Sequence, residues 1–329
     1  RGDREVYCPK PYRLIPTLYS MESLQNIKRR MKSVKNIGQI THAMELVAAT
    51  KMRRSQTIAL ASRPYATTAL ELLKRLRKEE LSYLPPLLHH RVVKSRLIVL
   101  ITSDKGLAGA FNSNVLKTFD SFLKNDNHPN SIFLSVGQRA HEYLIRNNLP
   151  EIIGFTHFGD YTAIEEITPL TQTIIDGYTE EKWDEVIIFS THFINALKQK
   201  VLEQKVLPVE LSTLQKIIEE IMPTHGRFSE ENESLGAKEK VQEYIIEPSP
   251  EEALEKLLPH ILEMQIYHIM LEANASEHSA RRLAMQNASD NAKDLNEELT
   301  LIYNKSRQAN ITREIIEISS GAESLKTTN

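Results

Sequence analysis

The sequence predicts an α/β protein in which an antiparallel coiled coil of long N- and C-terminal helices flanks a central α/β domain. Three observations predict it. An apolar stripe at helical spacing opens the chain, from Leu24 to Val47. Short β-rich runs alternate with amphipathic segments through its middle. Neither glycine nor proline interrupts the 61 residues from His260 to Ser320.

The first element is a helix over residues 22 to about 80. Leu24, Ile27, Met31, Val34, Ile37, Ile40, Met44 and Val47 recur at spacings of 3 and 4, so the stripe winds slowly around one helix. Gly38 costs about 1 kcal/mol relative to Ala. Pro64 breaks or kinks the helix after Arg63. A second helical stretch, Ala66 to Leu81, runs to Pro85 and Pro86.

The middle changes character. Leu97–Ile101 is an apolar strand leading through Thr102-Ser103-Asp104-Lys105-Gly106 to a helix that starts near Asn112. Ser131–Val136 is a second strand, followed by Gly137 and a helix to Arg146. Ile152–Phe158 is a weaker third strand, Thr162–Tyr178 a helix and Glu185–Ser190 a fourth strand. Val201–Pro208 and Tyr244–Glu247 are candidate edge strands, and the polar residues 225–240 read as a loop. This alternation means a parallel or mixed sheet covered on both faces, a Rossmann-like α/β domain. Trp183 is placed as a core or helix-end anchor.

The last helix, 260–320, could reach roughly 90 Å. Its seam runs Leu295, Leu299, Ile302, Ser306, Ala309, Thr312, Ile316 and Ser319, and Gly321 supplies the stop. One long helix runs into the α/β domain and the other runs out of it, so side-by-side packing is antiparallel. Pairing buries both stripes, which isolated helices would leave in water. The expected divisions are an extension over 1–20, the N-terminal helix over 21–94, the α/β domain over 95–247 and the C-terminal helix over 248–329.

Composition sets outer bounds. Hydrophobic residues are 41% and charged residues 26%, ordinary for a globular chain. The net charge of -2 gives no overall push toward nucleic acid or membrane, yet residues 22–64 hold nine Lys or Arg against two Glu. Residues 227–257 hold nine acids against four bases. Such asymmetry points to partner surfaces of particular sign. Cys8 is the only cysteine, which excludes an intrachain disulfide and a Cys-based zinc site. No apolar run approaches the roughly 18 residues of a spanning helix. Residues 1–20 carry Asp3 and Glu5 and no apolar stretch. They read as neither a secretory signal nor a transit peptide, but as a disordered extension or translated sequence upstream of a start at Met21.

Several patterns invite sharper readings that plainer ones outweigh. Gly106–Gly109 follows a strand but matches neither phosphate-loop pattern. A tight turn held by Asn112 is the better reading. His89-His90 lacks further ligands nearby, His260 and His268 read as surface or seam residues, and Asp290 with Asp294 reads as a solvated helix face. The basic belt lacks interleaved aromatics, which argues against nucleic acid. Helical stripes alone would fit a coiled-coil scaffold or adaptor, and an α/β enzyme would need a pocket near Ser103–Gly109.

The motifs at both ends carry a resemblance. Ile27-Lys28-Arg29-Arg30-Met31, the run Ile40 to Ala49, Lys51 to Gln56 and Ser62-Arg63-Pro64-Tyr65 resemble the amino-terminal helix of F-type ATP synthase γ subunits. Thr102 to Asn112 is similar to that family's first strand-to-helix turn, and Tyr244 to Pro250 to its approach to the last helix. Ser276 to Asn291, Leu299 to Ala309 and Ile311 to Gly321 complete the match, over about 21–325. The chain departs from the family pattern in its first twenty residues, at Phe111, in the acidic loop 227–243 and at Asn310.

The resemblance implies a non-catalytic central shaft between a proton-driven membrane rotor and a catalytic ring, without cofactor or metal. It implies α, β and ε subunits and the c-ring as partners, with no nucleic acid. It implies a peripheral location on the cytoplasmic face of a bacterial inner membrane. It maps rotor–stator contacts onto Met44, Arg281, Gln308, Thr312 and Glu317. It sets the belt of Lys28, Arg29, Arg30, Lys32 and Lys35 opposite acidic β-subunit loops.

Overall fold

A computed structural model describes residues 23–61, 68, 83, 85–125, 130–150, 152–159, 162–209 and 249–326. The expected extension over 1–20, the candidate strand 244–247, the acidic loop and all but one residue of the helical stretch 66–81 lie outside them. The chain forms two compact units: residues up to Met44 with those from Met285 onward, and Glu45–Ala284.

In the second unit, β1 (Arg96–Ile101), β2 (Ser131–Val136), β3 (Ile152–Phe155), β4 (Glu185–Phe193) and β5 (Gln199–Leu207) form one sheet in the order β3-β2-β1-β4-β5. The first four pair in parallel, with Val99 opposite both Leu134 and Ile188. β5 closes the sheet as an antiparallel edge strand hairpinned to β4. Three helices follow the first three strands: α2 (Phe111–Asn125), α3 (Gln138–Arg146) and α4 (Ile164–Thr179). The mixed sheet read from the sequence is thus present, with β3 shorter than expected.

Alternation along β1 assigns the two faces of the sheet. Leu97, Val99 and Ile101 join one core with Ile167, Leu170 and Ile174 of α4. Ile98 and Leu100 join the other with Val115 and Phe119 of α2 and Ala140 and Leu144 of α3. Phe119 meets Phe133 and Phe189 edge-on at 5.9 and 5.8 Å, a geometry that adds about 1 kcal/mol per pair to area burial. Trp183 is buried, as read, and donates its indole N–H to the Ile174 carbonyl at 3.2 Å. Its ring lies over Gly177, where an added Cβ would stand 2.0 Å away.

The last helix, α5 (Pro250–Lys326), has 77 residues. It begins ten residues before the stretch without Gly or Pro that opens at His260. Ser249 caps it by accepting from the Glu252 N–H, Pro250 sits in its first turn, and Glu251 and Glu252 face the positive end of the dipole. Pro259 lies inside and costs about 3 kcal/mol. Leu254, Leu258, Ile261 and Leu262 around it are buried in the core. At about 1.5–3 kcal/mol each they outweigh that cost. Gly321 does not stop the helix, which runs on to Lys326; one exposed glycine costs only about 1 kcal/mol within a long helix.

In the first unit, α1 (Leu24–Ala61) lies against α5, and a Cβ built on Gly38 would stand 3.3 Å from that of Ala292. The inward face differs from the apolar stripe. Ile27 and Thr41 are buried, and Leu24, Met31, Val34 and Gly38 half-buried, a strict alternation of 3 and 4. Along α1 it continues through Glu45, Ala48, Met52 and Ser55. Ile37, Ile40 and Val47, expected in the seam, are 53%, 59% and 53% exposed. The backbone approach at Gly38 draws the small face inward, and the Thr41 hydroxyl can be buried because it donates to the Ile37 and Gly38 carbonyls. On α5, Met285, Ala292 and Leu299 are buried and Asn296, Ser306 and Asn310 half-buried. Leu295, Ala309, Thr312, Ile316 and Ser319, also expected in the seam, face outward. Counting antiparallel from the Gly38–Ala292 contact sets Leu24 beside Ser306, so α5 continues past the start of α1.

Ile27→Ala should cost about 2–5 kcal/mol by leaving a cavity in the seam. Ile40→Ala should stay within about 0.5 kcal/mol. Denaturant unfolding followed by helical circular dichroism distinguishes this register from the apolar stripe, in which both would be costly. Gly177→Ala should cost about 3 kcal/mol, because the Trp183 ring cannot move without opening its core.

Candidate functional site

Two surfaces bear the residues singled out from the sequence, one in each unit. In the first unit, residues 311–322 of α5 are exposed throughout. Ile311, Ile315 and Ile318 fall at i, i+4 and i+7 on one face, 49%, 61% and 73% exposed, and Ile316 adds a fourth large apolar group. So much apolar surface on one helix end marks a contact with another molecule. Gln308, Thr312 and Glu317 share this stretch and are exposed. The Thr312 hydroxyl donates to the Gln308 carbonyl at 2.9 Å, which leaves its methyl outward.

On α1 of the same unit, Lys28, Arg29, Arg30, Lys32 and Lys35 are all exposed. Lys28, Lys32 and Lys35 follow one another at i, i+4 and i+7, so three cations stack along one face. Met44 is half-buried. Ile37 and Ile40 lie farther along the helix, so α1 changes from a basic to an apolar outer surface within about three turns. Sequence reading missed these two as surface groups. The signal was available: a strict heptad threads Gly38 and Thr41, whereas the apolar stripe needs three consecutive steps of 3.

Arg281 belongs to the second unit. Its side chain is 11% exposed, pairs with Glu277 at 2.6 Å and meets His278 Nδ1 at 3.3 Å. It donates to the carbonyls of Lys105 and Gly106 at 3.3 Å each. The guanidinium therefore ties α5 to the turn after β1. That turn is tied from other sides as well. Asn112 accepts from the Ser103 N–H and donates to its hydroxyl, as the tight-turn reading required. Leu107 and Gly109 take the left-handed backbone region, which leaves Leu107 66% exposed at the crest.

A cleft of about 180 Å³ opens beside this turn, lined in part by Thr102, Asp104, Lys105, Gly137, Asn274 and Glu277. It is where an α/β sheet of this kind would hold a phosphate, on a helix N-terminus. Here that position is filled by the protein itself. Asp104 accepts from the Gln138 N–H at 2.9 Å, the Ser103 carbonyl from the Arg139 N–H at 3.2 Å and Thr102 from the Ala140 N–H at 2.8 Å, so the first three donors of α3 are spent. Gly137 allows the close approach; a Cβ there would stand 2.2 Å from the Thr102 carbonyl oxygen. The turn is a self-closed structural joint, not a nucleotide cradle.

Other readings settle as follows. His89, His90, His260, Asp290 and Asp294 are exposed. Among the described residues no group of three or more His, Cys, Asp or Glu could hold a metal ion, and no helix is long and apolar enough to cross a membrane. His268 is buried.

The family described as ATP synthase matches residues 23–325. An ATP synthase gamma chain from Roseiflexus castenholzii is 38% identical over 314 residues, covering 93% of this chain and 99% of the relative. One from Geotalea daltonii is 39% identical over 313 residues, covering 93% and 100%. Two solved chains of the Euglena gracilis mitochondrial ATP synthase share the fold at 19% identity. One, from an OSCP/F1/c-ring assembly in rotational state 3, has a TM-score of 0.59 and covers 92% of this chain and 94% of that one. The other, from a rotor in rotational state 1, has a TM-score of 0.54 and covers 88% and 98%.

Arg281→Ala should loosen the turn without unfolding the sheet. Hydrogen bonds to charged groups are worth about 1.5–3 kcal/mol, so amide exchange at residues 104–107 should rise roughly tenfold or more while β1 and β2 keep their protection.

Proposed function

The chain belongs to the family of ATP synthase gamma chains, and from that premise we propose that it is the central shaft of a rotary ATP synthase. It transmits rotation between a membrane rotor ring and a catalytic head of α and β subunits, for proton-driven ATP synthesis or ATP-driven proton pumping. The observation that carries this reading is the bare helix end. Four isoleucines between 311 and 318 are 49–73% exposed. A coiled-coil scaffold would keep that end charged or paired; a shaft turning in an apolar sleeve needs it apolar and smooth.

The remaining surfaces take roles to match. Lys28, Arg29, Arg30, Lys32 and Lys35 face acidic loops of the β subunits. Exposed ion pairs of this kind are worth only about 0–1 kcal/mol each, so they steer the head and shaft together yet break readily as the shaft turns. Met44, Gln308, Thr312 and Glu317 touch the head directly. Arg281 contributes by holding the turn at 104–107 in shape for the same contact. The α/β unit sits against the ε subunit and the c-ring, and the whole is a peripheral component on the cytoplasmic face of a bacterial inner membrane. The chain itself carries out no chemistry. The filled helix N-terminus of α3 supports this, since Asp104 occupies the place of a phosphate.

Met44→Lys tests the contact in the assembled complex. A sixth long cation near the belt adds an attraction to the acidic loops that must be broken at each step. The expected result is continued ATP hydrolysis with several-fold less proton pumping per ATP in membrane vesicles. Unaltered coupling would remove Met44 from the contact, and failure of the chain to assemble with α and β subunits would remove the shaft reading altogether.

A further inference from the structure

Inside the α/β unit, α5 changes the way it is held. Upstream, Leu258, Leu262, Ile266 and Met270 are buried in the core. Between Leu271 and Met285 its apolar side chains are four alanines and Leu283. Alanine offers no knob to interlock, and apolar packing is non-directional. Such packing alone would let this part of the helix turn about its own axis at little cost.

Polar groups take over there. Glu272 meets Nδ1 of His192 at 2.7 Å, Ser276 donates to the Thr191 carbonyl at 3.2 Å and Ser279 to that of Ala196 at 2.7 Å. These partners lie on β4 or in the turn to β5, and Gln199 of β5 donates to the Ser279 hydroxyl at 3.2 Å. Asn274 donates to the Thr162 hydroxyl at 2.7 Å, just ahead of α4. Arg281 donates to the Lys105 and Gly106 carbonyls after β1 and is braced by Glu277 at 2.6 Å. At about 100° per residue, Glu272, Ser276 and Ser279 fall within about 60° of one another. Asn274 and Arg281 fall within about 20° of each other on the opposite side. The sheet order β3-β2-β1-β4-β5 agrees, with the segments after β3 and β1 to one side and the β4–β5 hairpin to the other.

We propose that these two opposed rows form a torsion clamp, by which the α/β unit grips α5 against rotation about the helix axis. The clamp rests on the shaft reading, since a shaft must pass torque from the α/β unit into α5, which leaves that unit at Ala284. A helix tied along one side can roll about that line. With ties on opposite sides, rotation in either sense pulls bonds out of line, and hydrogen bonds weaken steeply with misalignment. Ser276, Ser279 and Thr162 are buried, at 0%, 1% and 1% exposure. Out of reach of water, a broken tie has no substitute partner and costs the desolvation of both groups. Ser276, Ser279 and Asn274 are thus positioning residues, which act through the helix they hold.

Single-molecule rotation of the assembled complex reads the clamp. The head is fixed to a surface and a bead is carried on α2 through Lys117→Cys, with Cys8→Ser to leave one thiol in the chain. While rotation pauses between catalytic events, the variance of the bead angle measures torsional compliance. Ser276→Ala with Ser279→Ala should widen that variance about twofold or more, with unloaded ATP hydrolysis unchanged. Asn274→Ala, from the opposite row, should do the same, and it is read alone should the serine pair fail to assemble. Ile266→Val removes buried apolar contact and no tie, so it should lower stability and leave the variance as it was. Unchanged variance in the serine and asparagine variants, or equal widening in Ile266→Val, would overturn the clamp while the turning bead leaves the shaft reading in place. A bead that never turns on the unsubstituted complex would overturn both.

Discussion

Close approach of two helix backbones at Gly38 and Ala292 is the constraint on which the shape of the first unit depends. A seam that narrow has room for Gly, Thr, Ala and Ser, with Ile27, Met285 and Leu299 as its larger buried groups. It cannot also take Ile37 and Ile40. Those side chains, which on hydropathy alone belong inside, are turned outward and become surface. The functional character of α1 is therefore a by-product of packing: small residues inside leave large apolar residues outside, next to a run of cations. The same register sets how far α5 outreaches α1, and hence which isoleucines stand bare.

The second unit obeys a different rule. Its parallel strands are buried on both faces, so most inward positions are apolar, Ser135, Ser190 and Thr191 being buried exceptions, and much of the polar chemistry lies at the strand ends. In many α/β proteins that edge binds ligands. Here the edge is used up from within. Asp104, Thr102 and Asn112 satisfy the helix and turn donors, Gly137 lets the backbones meet, and Arg281 brings α5 down onto the turn. An arrangement that in a relative of another trade would hold a substrate serves here to stiffen the joint between a sheet and a long helix.

Stiffness and adaptability are combined in α5. Through the α/β unit its apolar face is held by the core and by discrete polar ties, among them the bridge from Glu272 to His192 and His268. Over residues 311–322 it is exposed throughout and presents isoleucine on several sides. A single helix without a break at Gly321 carries both jobs, since one glycine is a small cost against many backbone hydrogen bonds.

Much of this was legible in the sequence. Short apolar, β-rich runs flanked by turn residues gave the strands and their order of helices, and the long stretch without Gly or Pro gave α5, because local propensity and pattern agree there. The motifs at both ends gave the family. What the sequence left open were choices among faces. Whether Ile37 or Gly38 lies in the seam depends on how closely a second helix approaches, a distance no single helix encodes. Pro259 is carried inside α5 because burial of Leu258 and Ile261 overrides a local cost of about 3 kcal/mol, and the expected stop at Gly321 fails because one glycine costs only about 1 kcal/mol in a long helix. The His192–Glu272–His268 bridge joins residues eighty apart, and only folding the sheet against α5 brings them within hydrogen-bonding distance. Local chemistry along the chain thus determined which elements form; contact between elements distant in sequence decided which side chains were hidden and which were left to meet a partner.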